Sequence, residues 1–567
     1  MKQLLCRASL LLMVALPMAC SNDTDNNTTE DKRITIDAGN LQFSIAEAAF
    51  GADTEIQMRS AKPIIARQEV NLGESVEAEI SIERDPAPAA TRAPKPMSDG
   101  NYTIVAYKDG VRMEQQIKFT MSSGVMNITS QKKRYREVSQ GSTYTFVCFN
   151  DKVQDNNNGT FTVSLANAET ALIDKQSVTI NNDKTKEVKF TMKHVGARVR
   201  TKLMAFTDIT GVNATLGYQA NKVSASLNYN MLTGNVTAST AKNATAQSAT
   251  QSYTETGTKH DAALNDDLTT VTGNNYLTVL AGTKPEELVY NITAGTVYNS
   301  TLNTNGDRKL KAGSAFEANC SYTLTVRLMP SYLYLYEDGK TGHLKDADRQ
   351  SHVPIAIVFD KVGKRAIALW SANGGATTSW YSLGESDRRQ HNDVMYPNIT
   401  NALQPAAAQG KHWTWDKSGS KDNTTIKAHE KIKYPAFYYA GKFYASNDLK
   451  SHLSGKTLSS NLNKDGVWYL PSAYEWKEVF VKLGFTDGST LIGMNTQDWK
   501  GNLIHSAFVA ANGASLIVNN YSTYYWSSSE ENTSYVFDMF VNMLGLQFSY
   551  YYKEWNGLNR VRPFVAY

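Results

Sequence analysis

The chain has 567 residues, which at roughly 150 residues per domain predicts about three or four folded units. Its 58 basic and 54 acidic residues give a net charge of +4 without long like-charged runs, so no electrostatic surface for nucleic acid is expected. The 30 tyrosines, frequent Thr, Ser and Asn, and scarce helical periodicity favour a mainly β architecture.

The first 32 residues read as targeting sequence. A basic start, an apolar run from about Ala8 to Met18 and small residues before Cys20 predict an export signal at 1–19. The pentapeptide "LPMAC" resembles a bacterial lipobox, which implies acylation of Cys20 and a lipid anchor in the outer membrane. An ordinary secretory signal cut near the same place is the alternative. Residues 20–32 form an acidic, Asn-rich spacer.

From residue 33 to about 345, alternating strands such as "NYTIVAYK" and "TLTVRL" are separated by Gly, Asn and Asp turns, a pattern typical of β-sandwiches. The Pro-Ala segment from Pro86 to Pro96 is predicted to be an exposed linker. Cys148 and Cys320 are expected either to pair or, as we favour, to be two free buried thiols.

The segment "FTMKHVGARVRTKL", Phe190 to Leu203, is similar to the strand that enters the second half of fimbrillins, the pilins of Bacteroidales surface fibres. The "G-x-Y-T" strands, the lipobox and "ATRA" add to this resemblance. It implies two tandem fimbrillin-like β-sandwiches, at 33–195 and 196–345. By itself, the alternation of Arg198, Arg200 and Lys202 with apolar or small residues predicts a half-solvated strand.

The fimbrillin resemblance also implies processing and assembly. Such a pilin is trimmed after an arginine by a trypsin-like protease and completed by a strand from a neighbouring subunit. Arg92 is the leading cleavage candidate because its linker should be accessible, although Pro94 lies two residues further on. Arg59, Arg67 and Arg84 are rivals, and an uncleaved, permanently anchored form stays open.

All nine tryptophans lie between Trp370 and Trp555, which predicts a separate domain at 346–567. In "WYLPSAYEWKEVF", Ser472 and Glu475 have the spacing of a helix capping box, and Trp476 begins an apolar stripe. With "Y-W-S-S-S-E" and "R-V-R-P", this motif resembles the C-type-lectin-like fold, in the branch of the formylglycine-generating enzymes. The resemblance implies a mixed α/β domain whose last strand is "NRVRPFVAY".

The chemistry of these relatives is not expected here. Formylglycine-generating enzymes need cysteines, and this domain has none; the calcium motifs of lectins are incomplete, and no hydrolase motif occurs. We therefore predict no enzyme activity, no metal and no cofactor. Exposed aromatic rings are the expected ligand contacts: Trp413, Trp415, Tyr525, Tyr551 and Trp555, with Tyr524, Tyr550 and Tyr552 as further candidates.

The sequence thus predicts a surface-exposed fimbrial tip or minor pilin that acts as an adhesin. Its expected partners are other pilin subunits through strand addition, a host or bacterial surface glycan or protein, and the outer membrane through the lipid anchor. The alternative is a monomeric surface lipoprotein that binds glycan without entering a fibre.

Overall fold

The computed structural model describes residues 34–37, 41–51, 64–72, 75–86, 95–130, 138–181, 186–382, 389–518, 522–543, 545–554 and 559–567. Cys20, Arg92 and Trp555 lie outside these ranges, as do the predicted signal and spacer. The architecture is mainly β, as predicted, and the α-helices of the described residues all lie in the C-terminal third. No helix among the described residues is long and apolar enough to cross a membrane.

Twelve strands precede residue 195 in the described part of the chain. They are β1 (Ile34–Asp37), β2 (Leu41–Glu47), β3 (Ile64–Asn71), β4 (Val76–Arg84), β5 (Gly100–Lys108), β6 (Val111–Ser122), β7 (Val125–Ile128), β8 (Thr143–Asn150), β9 (Gln154–Asp155), β10 (Thr160–Ser164), β11 (Leu172–Thr179) and β12 (Lys186–His194). Eight of them form one sheet in the order β1-β2-β12-β11-β8-β5-β6-β7.

The two faces of this sheet are both buried because apolar side chains occupy consecutive positions. Ile104 and Phe146 line one core, whereas Val105 and Val147 point to the other. A second sheet covers the latter face, and the rings of Phe149 and Phe161 meet there with centroids 5.1 Å apart. We call this unit the first sandwich.

The next group of strands builds most of a second sandwich. They are β13 (Gly196–Ala205), β14 (Thr210–Tyr218), β15 (Ser226–Asn230), β16 (Val236–Ala238), β17 (Gln247–Gln251), β18 (Tyr253–Asp261), β19 (Asp266–Gly273), β20 (Leu277–Leu280), β21 (Val289–Val297), β22 (Ser300–Thr301), β23 (Arg308–Lys309) and β24 (Ser321–Pro330). Strands β15 and β16 instead pair with β10 and β9 in the order β16-β15-β10-β9, and so complete the first sandwich.

The second sandwich has a seven-stranded sheet, β18-β19-β13-β24-β4-β3 with β20 on β13, and a five-stranded sheet, β17-β14-β21-β22 with β23 on β21. On β13 the predicted alternation is confirmed: Arg198, Arg200 and Lys202 are half-buried, whereas Val199 and Leu203 are fully buried. Cys148 and Cys320 are buried thiols that are not joined to each other, as favoured.

The C-terminal unit contains all the α-helices of the described chain. Its elements are β25 (Tyr334–Tyr336), β26 (Thr341–Gly342), β27 (Pro354–Asp360), β28 (Arg365–Ala368), α1 (Ile399–Ala402), α2 (Gly410–Trp415), α3 (Pro435–Gly441), α4 (Asn447–His452), β29 (Trp468–Tyr469), α5 (Ala473–Lys482), α6 (Gly501–Ala510), β30 (Thr523–Glu530), β31 (Tyr535–Val541), β32 (Leu546–Tyr552), β33 (Asn559–Arg560) and β34 (Phe564–Ala566). Two sheets run β26-β25-β27-β28-β34-β29 and β32-β31-β30-β33.

Strand pairing crosses two of the predicted domain limits. Strands β3 and β4, which fall within 33–195, pair in the sheet of the second sandwich because β4 hydrogen bonds to β24. Strands β25 and β26 precede residue 346 but pair with β27 in the C-terminal unit. Strands β12 and β13 belong to different sheets, but β15 pairs with β10 of the first sandwich as well as with β16, so neither limit coincides with the strand pairing.

Candidate assembly and adhesion surfaces

The N-terminal strands are built into both sandwiches rather than into one. Strand β2 runs parallel to β12 at the end of the first sheet, where Phe43 lies opposite Val188 and Ile45 opposite Phe190. Strand β4 lies between β24 and β3 in the second sandwich. The segment that precedes the predicted linker therefore supplies a strand to each sandwich.

Strand β4 has the two-faced pattern of a core strand. Its inward side chains, Val76, Ala78, Ile80 and Ile82, are each 3% exposed or less. Fully burying a Val or Ile side chain contributes about 1.5–3 kcal/mol, so removing β4 would leave an apolar groove. It would also leave the backbone groups of β24 that now pair with β4, from Tyr322 to Pro330, without partners.

The outward face of β4 carries glutamates that lie opposite a row of basic side chains on β13. Glu79 and Glu83 lie on the same cavity, about 600 Å³ in volume, as Arg198, Arg200 and Lys202 of β13. The intervening strand β24 presents Thr323 and Thr325 there. Lys345, just before the predicted C-terminal domain, contacts Glu77 at 2.9 Å, so β4 also links the second sandwich to the next unit.

The opening of α5 is scaffold, as predicted. Ser472 Oγ accepts a hydrogen bond from the Glu475 backbone N at 3.3 Å, and Glu475 Oε2 accepts one from the Ser472 N at 2.8 Å. Trp476 is fully buried against Phe564 and Tyr525, with ring centroids 5.2 and 5.4 Å away. This capping box and core tryptophan fix the helix against β34 and β30.

Two of the predicted ligand-contacting aromatics are buried, which corrects that expectation. Trp413 is 1% exposed and donates its Nε1–H to Asp393, while Tyr525 is 0% exposed and donates its hydroxyl to the Leu516 carbonyl. Trp413 turns inward because "KHWTWDK" forms helix α2, and helical side chains at i and i+2 do not alternate as in a strand.

Two other predicted contacts are half-buried. Trp415 donates its Nε1–H to the Trp468 carbonyl at 2.5 Å, and the Lys442 ammonium lies 5.2 Å from its ring centroid. Tyr551 packs against the core of the C-terminal unit. The fifth, Trp555, lies outside the described residues.

Exposed aromatic rings do occur at the end of β32. Tyr550 and Tyr552 are 47% and 43% exposed. The half-buried ring of Tyr535, on the neighbouring strand β31, packs against both, with centroids 5.2 Å from Tyr550 and 4.5 Å from Tyr552. Successive side chains of a strand point to opposite faces, so Tyr550 and Tyr552 lie on the face opposite Tyr551. This alternation is the sequence signal that distinguishes the two exposed tyrosines from Tyr551. We call these three residues, Tyr535, Tyr550 and Tyr552, the tyrosine cluster.

A buried ion pair, Lys553–Glu530, adjoins the tyrosine cluster in the chain. Lys553, next to Tyr552, is hydrogen bonded to the Glu530 carboxylate and to the carbonyls of Arg389 and Thr533. The Glu530 carboxylate also accepts from two backbone N–H groups, those of residues 391 and 392. Since removing one partner of a buried pair leaves an uncompensated charge, this pair ties the ends of β30 and β32 firmly to the preceding loop.

Among the described residues, one group of side chains could share a metal ion by the spacing of its oxygen and nitrogen atoms. It consists of Glu337, Asp338 and His352. Glu337 already accepts from His352 Nδ1 at 3.0 Å and from the Val353 N at 2.8 Å. The buried Arg349 guanidinium donates to Asp338 at 3.1 Å. A cation fits poorly beside a guanidinium, so we assign an ion-pair network.

The C-terminal unit docks directly onto the second sandwich. Leu503 of α6 is 1% exposed within the core of the second sandwich, and the ring of Phe485 lies 5.0 Å from that of Tyr298. Lys500 and Asp266 approach to 3.4 Å across the same junction. These contacts combine apolar burial with charge, so the C-terminal unit packs against the second sandwich.

No protein-family model and no curated protein matches the chain. Among solved structures, a candidate cell adhesion protein from Bacteroides ovatus is 11% identical with a TM-score of 0.30, covering 51% of this chain and 95% of that one. A fimbrial protein from Bacteroides ovatus is 13% identical with a TM-score of 0.26, covering 84% and 96%. A fimbrial protein from Bacteroides vulgatus is 13% identical with a TM-score of 0.27, covering 43% and 93%. With values this low, function has to be argued from this chain's own residues.

Proposed function

We propose that this chain is a surface fimbrial subunit, a tip or minor pilin, that acts as an adhesin and is completed by β-strand addition. The observation that carries the proposal is the position of β4 between β24 and β3. A segment that lies N-terminal to the Arg92 linker thus supplies a strand inside the sheet of the second sandwich, where it is replaceable by a strand from outside.

Proteolysis at Arg92 would separate β1 to β4 from the rest of the chain. Their departure would open the β24 edge in the second sandwich and the β12 edge in the first. Exposed backbone donors and acceptors beside an apolar groove are a strong template for another strand. The subunit would then accept a donated strand at each of these two edges, which β2 and β4 occupy here as separate strands.

The C-terminal unit favours a terminal position in the fibre. Strand β34 lies between β28 and β29, and its Phe564 and Val565 are fully buried. Donating this strand to a neighbour would open the core of its own unit. We therefore propose that the subunit accepts a strand but does not donate β34, with the C-type-lectin-like unit outermost.

The tyrosine cluster is the proposed adhesive contact. Tyr550 and Tyr552 are exposed, the Tyr535 ring packs against both, and the buried Lys553–Glu530 pair holds the chain next to Tyr552. Such rings stack on the apolar faces of sugars and on partner side chains. The proposed ligand is a host or bacterial surface glycan or protein, bound without catalysis, metal or cofactor.

A lipid on Cys20 would hold the precursor at the outer membrane before processing. The proposal rests on the lipobox-like "LPMAC" and the acidic stretch that follows it. Several acyl chains suffice for stable anchoring without a membrane-spanning helix. Strand release after Arg92 would then free the subunit from its anchor for assembly.

Immunogold labelling of purified fibres tests the position of the subunit. An antibody to the C-terminal unit should label one end of each fibre, because only the terminal subunit carries that unit. Regular label along the shaft would overturn the terminal assignment, and fibres without label would favour the monomeric lipoprotein. Adhesion is tested separately with the double substitution Tyr550→Ala and Tyr552→Ala, for which Ile432→Ala, 80% exposed in the same unit, is the matched control.

A further inference from the structure

The five residues from Glu47, the last residue of β2, to Gly51 lie across the junction of the two sandwiches. The Ala48 N donates to the Met192 carbonyl at 2.8 Å, and the Gly51 N donates to the Asn319 carbonyl at 2.7 Å. Asn319 Nδ2 also donates to the Ala49 carbonyl at 3.2 Å. This segment is therefore held by main-chain contacts on both sides of the β12–β13 connection, and we call it the junction segment.

The side chain of Phe50 packs against residues of the fimbrillin-like motif, the segment from Phe190 to Leu203. Its ring stacks on His194, with centroids 3.9 Å apart and an angle of 16° between the planes. The Arg198 guanidinium lies 4.7 Å from the centroid of Phe50 and 4.2 Å from that of Tyr276. Phe50 and Tyr276 thus both pack against one cation, an arrangement in which ring electrons stabilise the charge.

Glu47 supplies the second specific contact of the junction segment. Its buried carboxylate accepts from Lys95 Nζ at 2.8 Å and from the Ser98 N at 2.8 Å, and it lies 3.6 Å from His194 Nε2. Lys95 and Ser98 follow the Arg92 linker, so they would remain with the sandwiches after cleavage. All partners of Glu47 and Phe50 described above therefore belong to the body that receives the strand.

Both contacts differ in kind from the rest of the β2 groove. Phe43 and Ile45 fill an apolar core that many alternating strands would satisfy. An acid and an aromatic ring three residues apart, in contrast, must match the Ser98 N–H, the Lys95 ammonium, which is 53% exposed, and the half-buried Arg198 guanidinium beside His194. Leaving those polar groups without partners is costly, which is how a groove rejects a wrong strand.

From this geometry, and resting on the proposed strand addition, we propose that His194, Arg198, Tyr276 and Lys95 form a selectivity site for the incoming strand. The occupant is a strand of a neighbouring subunit that carries a carboxylate followed three residues later by an aromatic ring. Before assembly, Glu47 and Phe50 of this chain occupy the site that this carboxylate and aromatic ring would take. The fimbrillin-like motif thus selects the partner rather than only forming a strand.

A peptide-exchange experiment on the full chain tests this site. A cleavage sequence for a specific protease is inserted within residues 87–94, and the cut protein, with its N-terminal fragment still bound, is mixed with labelled peptides. The parent peptide has the sequence of residues 41–51. Variants carry Phe50→Ala, Phe50→Trp or Glu47→Gln, and Gln42→Ala, at an exposed position of β2, is the control.

We expect the parent, Phe50→Trp and Gln42→Ala peptides to displace β2 of the fragment from its groove equally. The Phe50→Ala peptide should bind about tenfold more weakly, and the Glu47→Gln peptide on the order of a hundredfold more weakly. Arg198→Gln in the receiving chain should reduce the difference between the parent and the Phe50→Ala peptides, whereas Lys202→Gln should preserve it. Equal exchange of all peptides would overturn the selectivity site and leave strand addition standing; no exchange even of an isotope-labelled N-terminal fragment would overturn strand addition itself.

Discussion

The carboxylate of Glu47 gives a sharp test of how the N-terminal segment is retained. Burial alone would raise its pKa, but contacts with His194, Lys95 and Ser98 outweigh burial and lower the pKa from 4.5 to about 2. At about 1.36 kcal/mol per pKa unit, this shift corresponds to roughly 3 kcal/mol in favour of the folded, ionised state. Replacing Glu47 by Gln should remove most of that stabilisation at neutral pH.

The sign of the pH dependence follows from the direction of the shift. Because the folded-state pKa of Glu47 lies below its unfolded value, the stabilisation is complete above about pH 4.5 and is lost as the pH falls towards 2. The difference between wild type and Glu47→Gln should therefore be largest at pH 7. At pH 3 it should shrink to about 1 kcal/mol.

Hydrogen exchange of the β2 amides measures the free energy of releasing this strand. Tryptophan fluorescence would miss it, since every tryptophan lies beyond residue 369. At pH 7, Glu47→Gln should speed exchange of β2 by on the order of a hundredfold if release limits exchange. Glu187→Gln on β12, whose exposed partner Lys189 lies 3.2 Å away, should change it little. Equal exchange in wild type and Glu47→Gln at pH 7 would refute the reasoning.

Three further expectations concern other parts of the chain. Trp476→Ala should lower the free energy of unfolding of the C-terminal unit by about 3–5 kcal/mol in urea titration, because the ring is fully buried. Ser472→Ala should lower it by about 1 kcal/mol through the lost helix cap. An unchanged midpoint for Trp476→Ala would contradict its place in the core. Cys20→Ala should abolish labelling by acyl-chain probes and reduce surface display, and persistent labelling would rule out this lipidation site. The Tyr550→Ala and Tyr552→Ala pair should weaken adhesion without shifting the melting temperature, whereas loss of folding or undiminished adhesion would count against the tyrosine cluster.

Local sequence patterns predicted local structure well. The Ser472–Glu475 spacing indicated the capping box, and the alternation from Arg198 to Leu203 indicated a strand with one half-exposed face. Each of these features depends on neighbours within a few residues. The mainly β architecture and the two buried thiols were likewise predictable from composition and strand patterns.

Long-range pairing was harder to predict because periodicity says nothing about which strand lies next to which. The sequence of β4 is that of any buried strand, yet it pairs with β24, more than 230 residues further along the chain, as the Thr323–Glu83 register shows. The same limit applies to the adhesive surface. The spacing of Trp413 and Trp415 matches the alternation of a strand, but their segment is a helix, and Trp413 lies in the core.

The most direct test of the central claim is mass spectrometry of this chain's N-terminus in fibres sheared from the cell surface. If the subunit assembles by strand addition after proteolysis, the fibre-bound chain should begin at Ala93, and β1 to β4 should be missing. Fibre-bound chains that keep β1 to β4 and a lipidated Cys20 would contradict the account.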